Sequence, residues 1–94
     1  MLTTISALAL CVQVADYAAF HLSYHPAREE QSDRLYDQSD EWARQLSEMV
    51  SDDEVFIAAL HDATRAANEL SGDALNAELA RCQQADTAQP SRKG

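Results

Sequence analysis

Two histidines and a glutamate, His21, His25 and Glu29, follow one another at intervals of four residues. On a continuous helix this spacing would put two imidazoles and a carboxylate on one side, where they could hold zinc. Pro26 interrupts the pattern, because the residue before a proline avoids helical backbone angles. Glu29 then belongs to the next helix, and we interpret the histidines as residues near a helix end.

Carboxylates could also serve a magnesium-dependent hydrolase. All-α nucleotide pyrophosphohydrolases hold magnesium between paired carboxylates on two helices, and Glu29, Glu30 and Asp33 could form one half of such a site. No other helix supplies the matching half, and no Ser/His/Asp or Cys/His arrangement or glycine-rich phosphate loop is present. We therefore predict a protein that is not an enzyme, with no catalytic, cofactor-binding or metal-binding residues and no cofactor.

The charge of the chain indicates the kind of partner. Sixteen acidic residues against seven basic ones give a formal charge of -9 in 94 residues. This charge argues against direct binding to DNA, RNA or an anionic membrane, since neutralising phosphate requires Lys and Arg. A protein partner with a basic surface is electrostatically favoured.

The acids concentrate between residues 27 and 42, where Glu29, Asp33, Asp37 and Glu41 recur every four positions. Like charges stacked about 6 Å apart on a helix cost a few tenths of a kcal/mol per pair. The face either serves solubility alone or docks on Arg and Lys of a partner. The residues predicted to contact a partner are Glu29, Asp33, Tyr36, Asp37, Asp40 and Glu41. Two ion-pair ladders, Asp40–Arg44–Glu48 and Glu30–Arg34, are expected beside them.

The elements that carry these residues are all predicted to be helices. Alanine is abundant, only two glycines and two prolines occur, and no segment alternates apolar and polar residues. We predict an all-α bundle of three long helices, 2–24, 26–50 and 52–70, plus a short C-terminal helix from 73 to 82. Residues 1–86 form one domain in this prediction, and 87–94 form a flexible tail.

The first helix is apolar nearly all round, so either its own bundle or a second copy must cover it. We expect a homodimer, with self-association through Ile5, Leu10, Val14, Tyr17 and Tyr24. The uncharged start of the chain could alternatively be a cleaved export signal, but it lacks a basic beginning. A cytoplasmic protein that does not bind membranes is the expectation. Cys11 and Cys82 are far apart and lack metal-site spacing, so we predict two unpaired, buried thiols.

The second and third helices have recognisable faces and ends. Leu35, Trp42, Leu46 and Met49 share one side of the second helix, and the carboxylates point the opposite way. Ser51 and Glu54 match a capping box at the start of the third helix, and Gly72 matches a helix stop.

These patterns predict a protein-binding module, most concretely a small acidic antagonist that occupies a basic surface, which could be a nucleic-acid-binding one. Small acidic inhibitors encoded by phages and other mobile elements, including inhibitors of CRISPR complexes, are analogous in size and charge. Duplex DNA carries one charge per about 1.7 Å of its axis, so a single helix face can compete by bulk charge but cannot imitate the phosphate register. The alternatives are a helical adaptor or chaperone, and a self-assembling structural subunit, both acting through the apolar first helix.

Overall fold

The computed structural model describes residues 5–87, which form four α-helices and no strand. The helices are α1 (Ile5–Leu22), α2 (Glu29–Met49), α3 (Asp53–Asn68) and α4 (Asp73–Thr87), with a 3₁₀ turn at Pro26–Arg28. The all-α bundle is confirmed. The fourth helix is not short, since α4 has 15 residues against 16 in α3. Most of the predicted tail, 88–94, lies outside the described residues, as do residues 1–4.

Helix α1 is the centre of the bundle, and each of the other three helices packs against it. On one side, Leu8 and Val12 belong to a hydrophobic cluster with Trp42 and Leu46 of α2. On another side, Val14 belongs to a second cluster with Ala67 of α3 and Leu75 of α4. A helix that is covered from several directions needs apolar residues on several faces. The chain's own helices therefore account for the apolar character of α1.

Two buried serines fix how α2 lies against α1. The hydroxyl of Ser39 donates to the carbonyl of Val12 at 3.0 Å, and that of Ser32 donates to the carbonyl of Ala19 at 2.8 Å. Seven residues forward in α1 correspond to seven residues backward in α2, so the helices are antiparallel. Small side chains at these contacts allow the two helices to approach closely. Sequence reasoning assigned neither serine to the core.

The other residues of α2 mostly follow the predicted division. Trp42 and Leu46 are fully buried, Leu35 is half-buried and the carboxylates point outward. Met49, which was expected on the inner face, is 43% exposed, although Leu46 one turn before it is fully buried.

The chain turns where the sequence predicts. His25 has extended backbone angles before Pro26, as the proline ring requires. Gly72 adopts a φ of +52°, a left-handed conformation that favours glycine, in the link between α3 and α4.

The cap of α3 differs from the prediction by one residue. The carboxylate of Asp52, not the hydroxyl of Ser51, accepts hydrogen bonds from the backbone N–H groups of Glu54 and Val55, at 2.8 and 3.4 Å. An ionised carboxylate at this position also interacts favourably with the positive end of the helix dipole. The predicted Ser51 cap is therefore wrong.

The prediction of two unpaired thiols is also wrong, because Cys11 and Cys82 form a disulfide bond that joins α1 to α4. Their Cα atoms are 5.8 Å apart, within the usual range for such bonds. Both residues are fully buried in the same cluster as Trp42. The fold brings together two cysteines that are separated by 71 positions, a relation that their spacing in the sequence does not reveal.

Helix α1 is long and apolar enough to cross a bilayer, with a mean hydropathy of 1.5 over 18 residues. The core helix of a bundle and an N-terminal signal sequence meet the same two criteria. Length and composition therefore do not decide where the protein resides.

Candidate functional site

The outer face of α2 carries an uncompensated row of carboxylates. Glu29, Asp33, Asp37 and Asp40 are all exposed, and none makes an ion pair within residues 5–87. Eleven residues separate the first from the last, a distance of about 16 Å along a helix. We call these four residues the acidic face. They are four of the six residues that the sequence predicted as partner contacts.

Glu41, the fifth acid of that prediction, has a different environment. It is half-buried and forms an ion pair with Arg44, and it also accepts from the amide of Gln45 at 3.3 Å. Arg44 reaches Glu48 as well, at 3.0 Å, so its predicted pairing with Asp40 is absent and this ladder is replaced by Glu41–Arg44–Glu48. The hydrogen bond to Glu41 is the main cause that raises the pKa of Arg44. The last turns of α2 are therefore internally compensated, whereas the acidic face is not.

Asp40 lies close enough to α1 to affect a carboxyl group there. Burial raises the pKa of Asp16, and the negative charge of Asp40 raises it further. Asp16 is the only acidic or basic residue between Ile5 and Leu22, apart from His21. A single acid in an otherwise apolar helix could have identified Asp16 from the sequence as a partly buried carboxyl group, but Asp16 was not among the predicted residues.

The two aromatic residues of α2 differ in burial. Tyr36 is half-buried and borders the acidic face, so part of its ring remains accessible. Trp42 is fully buried, as predicted, and its Nε1–H has no hydrogen-bond acceptor among the described residues. Trp42 therefore belongs to the core, and Tyr36 is the aromatic residue that a partner could reach.

The residues predicted for self-association are mostly covered by the chain itself. Val14 is fully buried, and Ile5, Leu10 and Tyr17 pack at the edges of the two clusters. The Tyr17 hydroxyl also donates to Oδ1 of Asn68 at 2.7 Å. Tyr24 is the exception, since it is 69% exposed and its ring meets that of Phe20 edge-to-face. Dimerisation stays a prediction. The reason given for it, an apolar α1 that needs a second copy to cover it, no longer applies because the chain's own helices cover most of α1.

The histidines near the end of α1 are both exposed. Among the described side chains, those of residues 5–85, no three of His, Cys, Asp or Glu are placed to share a metal ion. Glu30, which was considered for a magnesium site, is exposed beside the acidic face.

The chain matches no known family, curated protein or solved structure.

Proposed function

We propose that this chain is a non-enzymatic binding module whose acidic face occupies a basic surface on a partner protein. The observation that carries the proposal is the row of four exposed carboxylates on one side of α2, none of which has an ion pair within residues 5–87. Their mutual repulsion destabilises the free protein slightly. Arg and Lys of a partner would relieve that repulsion.

The packing behind the acidic face supports a docking role. Ser32 and Ser39 hydrogen-bond α2 to the backbone of α1, and Trp42 fills the core between them and α3 and α4. The backbone of α2 is thus held before a partner arrives, which reduces the entropic cost of association. Such a surface affects the association rate and specificity more than the total affinity.

The ion pairing of the acidic residues differs between the two ends of α2. The acids at its N-terminal end form no ion pair, whereas Arg44 pairs with two acids at the other end. A basic partner would therefore be attracted toward the N-terminal two-thirds of the helix. Because the charges are exposed, the attraction would weaken as salt shortens the Debye length, from about 30 Å at 0.01 M to about 8 Å at 0.15 M.

A pull-down experiment with a charge-reversed variant of the protein tests the proposal. Asp33→Lys with Asp37→Lys would remove half of the acidic face, and both side chains are exposed. A matched control, Asp62→Lys on α3 with Glu69→Lys immediately after it, makes the same change in net charge at exposed positions elsewhere. Immobilised wild-type and control proteins should capture the same partner from a lysate of the source cells, and the α2 variant should not. Circular dichroism would verify that all three are equally helical.

Capture that is equal for the wild type, the α2 variant and the control would contradict the proposal. Capture that is unaffected by raising salt would contradict the electrostatic mechanism, since contacts between exposed charges are screened. A surface plasmon resonance titration of the captured partner at two salt concentrations supplies the second measurement.

The adaptor, chaperone and structural-subunit alternatives depend on access to the apolar side of α1. The buried position of Val14 and the partial burial of Leu10 and Tyr17 give them less support than the acidic face. Light scattering over a range of concentrations would detect the large oligomers that a structural subunit requires.

The disulfide bears on cellular location. Disulfides persist in oxidising compartments and are rare in the cytosol. The Cys11–Cys82 bond therefore favours a secreted or cell-surface protein over the cytoplasmic one expected from the sequence. Quenching source cells in acid and then alkylating the denatured protein would distinguish the two, because a cytoplasmic protein would carry two alkyl groups once its buried cysteines are exposed.

A further inference from the structure

A groove separates α2 from α4, and the C-terminal half of α1 forms its floor. Its volume is about 1040 Å³. Leucines from all three helices line the apolar part, namely Leu22, Leu35, Leu75 and Leu79. At one end, the amide of Gln83 donates to the side-chain carbonyl of Gln38 at 3.1 Å, which links α4 to α2 across the groove.

The charge of the groove is opposite to that of the chain. Fifteen residues line it and none is Asp or Glu, although the chain contains sixteen acids. Two arginines, Arg28 and Arg34, stand along its α2 side. The other three arginines between residues 5 and 87 form ion pairs with acids of their own helices. Arg28 and Arg34 form none with the described side chains, those of residues 5–85, so the two arginines without an ion pair there face the same groove.

The pairing predicted between Glu30 and Arg34 is therefore absent within the described residues. Arg34 lies instead beside the leucines and the carboxamides of Gln31 and Gln38. A cation next to apolar surface suits a ligand with an apolar side and an acidic edge.

The dimensions of the groove suit a helix. The side formed by the 3₁₀ turn and α2 runs from Arg28 to Gln38, about 15 Å at 1.5 Å per residue. The volume divided by this length gives a mean cross-section of about 70 Å², which corresponds to a width of about 9 Å. An α-helix with side chains is about 10–12 Å across, so it would fit with one side embedded and the other in solvent.

We propose that this groove binds an amphipathic helix of a partner protein, with apolar residues on the leucines and acidic residues beside Arg28 and Arg34. The bound helix would lie between α2 and α4, against Ala18, His21 and Leu22 at the C-terminal end of α1. Helix-in-groove recognition reads apolar anchors at helical spacing and uses charges at the edges for orientation. The inference does not depend on the acidic face, which lies on the outer side of α2.

Two synthetic helical peptides of about 15 residues, or four turns, would test it. Both carry the same leucine stripe, and their remaining positions are Glu-rich in one and Lys-rich in the other. The net charge of -9 favours the Lys-rich peptide at long range, whereas the groove favours the Glu-rich one. Fluorescence anisotropy should show tighter binding of the Glu-rich peptide by the wild-type protein. Amide chemical-shift changes should fall on residues 18–22, 28–38 and 70–83.

Arg28→Gln with Arg34→Gln should weaken the Glu-rich peptide by about tenfold, as expected for the loss of two ion pairs at a solvent-exposed edge. Arg65→Gln with Arg81→Gln is the matched control, because it removes the same charge from arginines outside the groove, and it should leave binding unchanged.

Several results would overturn the proposal. These are equal or tighter binding of the Lys-rich peptide, no binding of either peptide at about 1 mM, and no effect of the Arg28 and Arg34 substitutions. Binding of dodecanoate in place of both peptides would identify a lipid-like ligand instead. Sedimentation that shows oligomers dissociated by the Arg28 and Arg34 substitutions would identify a second copy of this chain as the occupant.

Discussion

Removing the disulfide should have the largest effect on stability of any change considered for this chain. The bond joins Cys11 and Cys82 across 71 positions, so it encloses most of the described residues in one covalent loop. Both sulfur atoms are buried, and the bond holds α4 against α1 beside Trp42. The perturbation is the double substitution Cys11→Ala and Cys82→Ala, which keeps both positions apolar.

The magnitude follows from the length of the loop. Closing a loop of 71 residues removes about 15 cal/mol/K of entropy from the unfolded chain, or about 4 kcal/mol at 25 °C. A domain of this size has a total stability of about 5–15 kcal/mol. A loss of about 4 kcal/mol lowers the melting temperature of a 60–100-residue domain by roughly 15–30 °C.

The assay uses the single tryptophan, which lies in the same cluster as the disulfide. Thermal unfolding is followed by Trp42 fluorescence. The melting temperature should be far lower for the double variant, and for the wild type with reductant, than for the untreated wild type. Reductant should not affect the double variant. Two observations would refute the reasoning: equal melting temperatures for wild type and variant, or reaction of two thiols when the untreated protein is unfolded in denaturant.

Three smaller perturbations test the packing and electrostatics. Asp52→Ala should lower the free energy of unfolding in urea by about 1 kcal/mol through loss of the α3 cap, whereas Ser51→Ala should be nearly neutral. A larger loss for Ser51→Ala than for Asp52→Ala would show that the serine is the cap. Ser39→Ala should cost about 0.5–1.5 kcal/mol by removing a buried hydrogen bond to α1, and an unchanged urea midpoint would contradict the tight contact. Asp16→Asn should raise the urea midpoint at pH 7. The raised pKa means that the folded chain holds a proton already lost by the unfolded chain, so stability falls as pH rises between the two pKa values. The gain should vanish at a pH low enough to protonate the Asp16 carboxyl in both states, and a gain that persists there would exclude this mechanism.

The sequence predicts those parts of the fold that depend on local interactions. Pro26 and Gly72 restrict backbone angles by themselves, so both turns lie where the sequence places them. The outward carboxylates and inward Trp42 of α2 follow from the 3.6-residue period, and the structure agrees. Asp52 and Ser51 are both good capping residues, and only the backbone geometry decides between them.

The relations between helices could not be predicted. A helix that is apolar all round can be covered by its own chain or by another, and the sequence is compatible with both arrangements. The disulfide depends on α4 lying beside α1, and no spacing rule connects residues so far apart. The groove likewise depends on how α2 and α4 pack on α1, since all three helices line it. Arg28, in the turn before α2, and Arg34, on α2, both line it, which a helical wheel of α2 alone does not show.

The disulfide also determines what happens when the backbone is cut. All three links between helices lie inside the loop that Cys11 and Cys82 close. A protease that cleaves any one of them produces two fragments that remain covalently attached through sulfur. The nicked molecule would keep its mass on a non-reducing gel and separate only after reduction. Cleavage in the link around Gly72 would therefore create new chain ends, and the disulfide would still hold the four helices in one molecule.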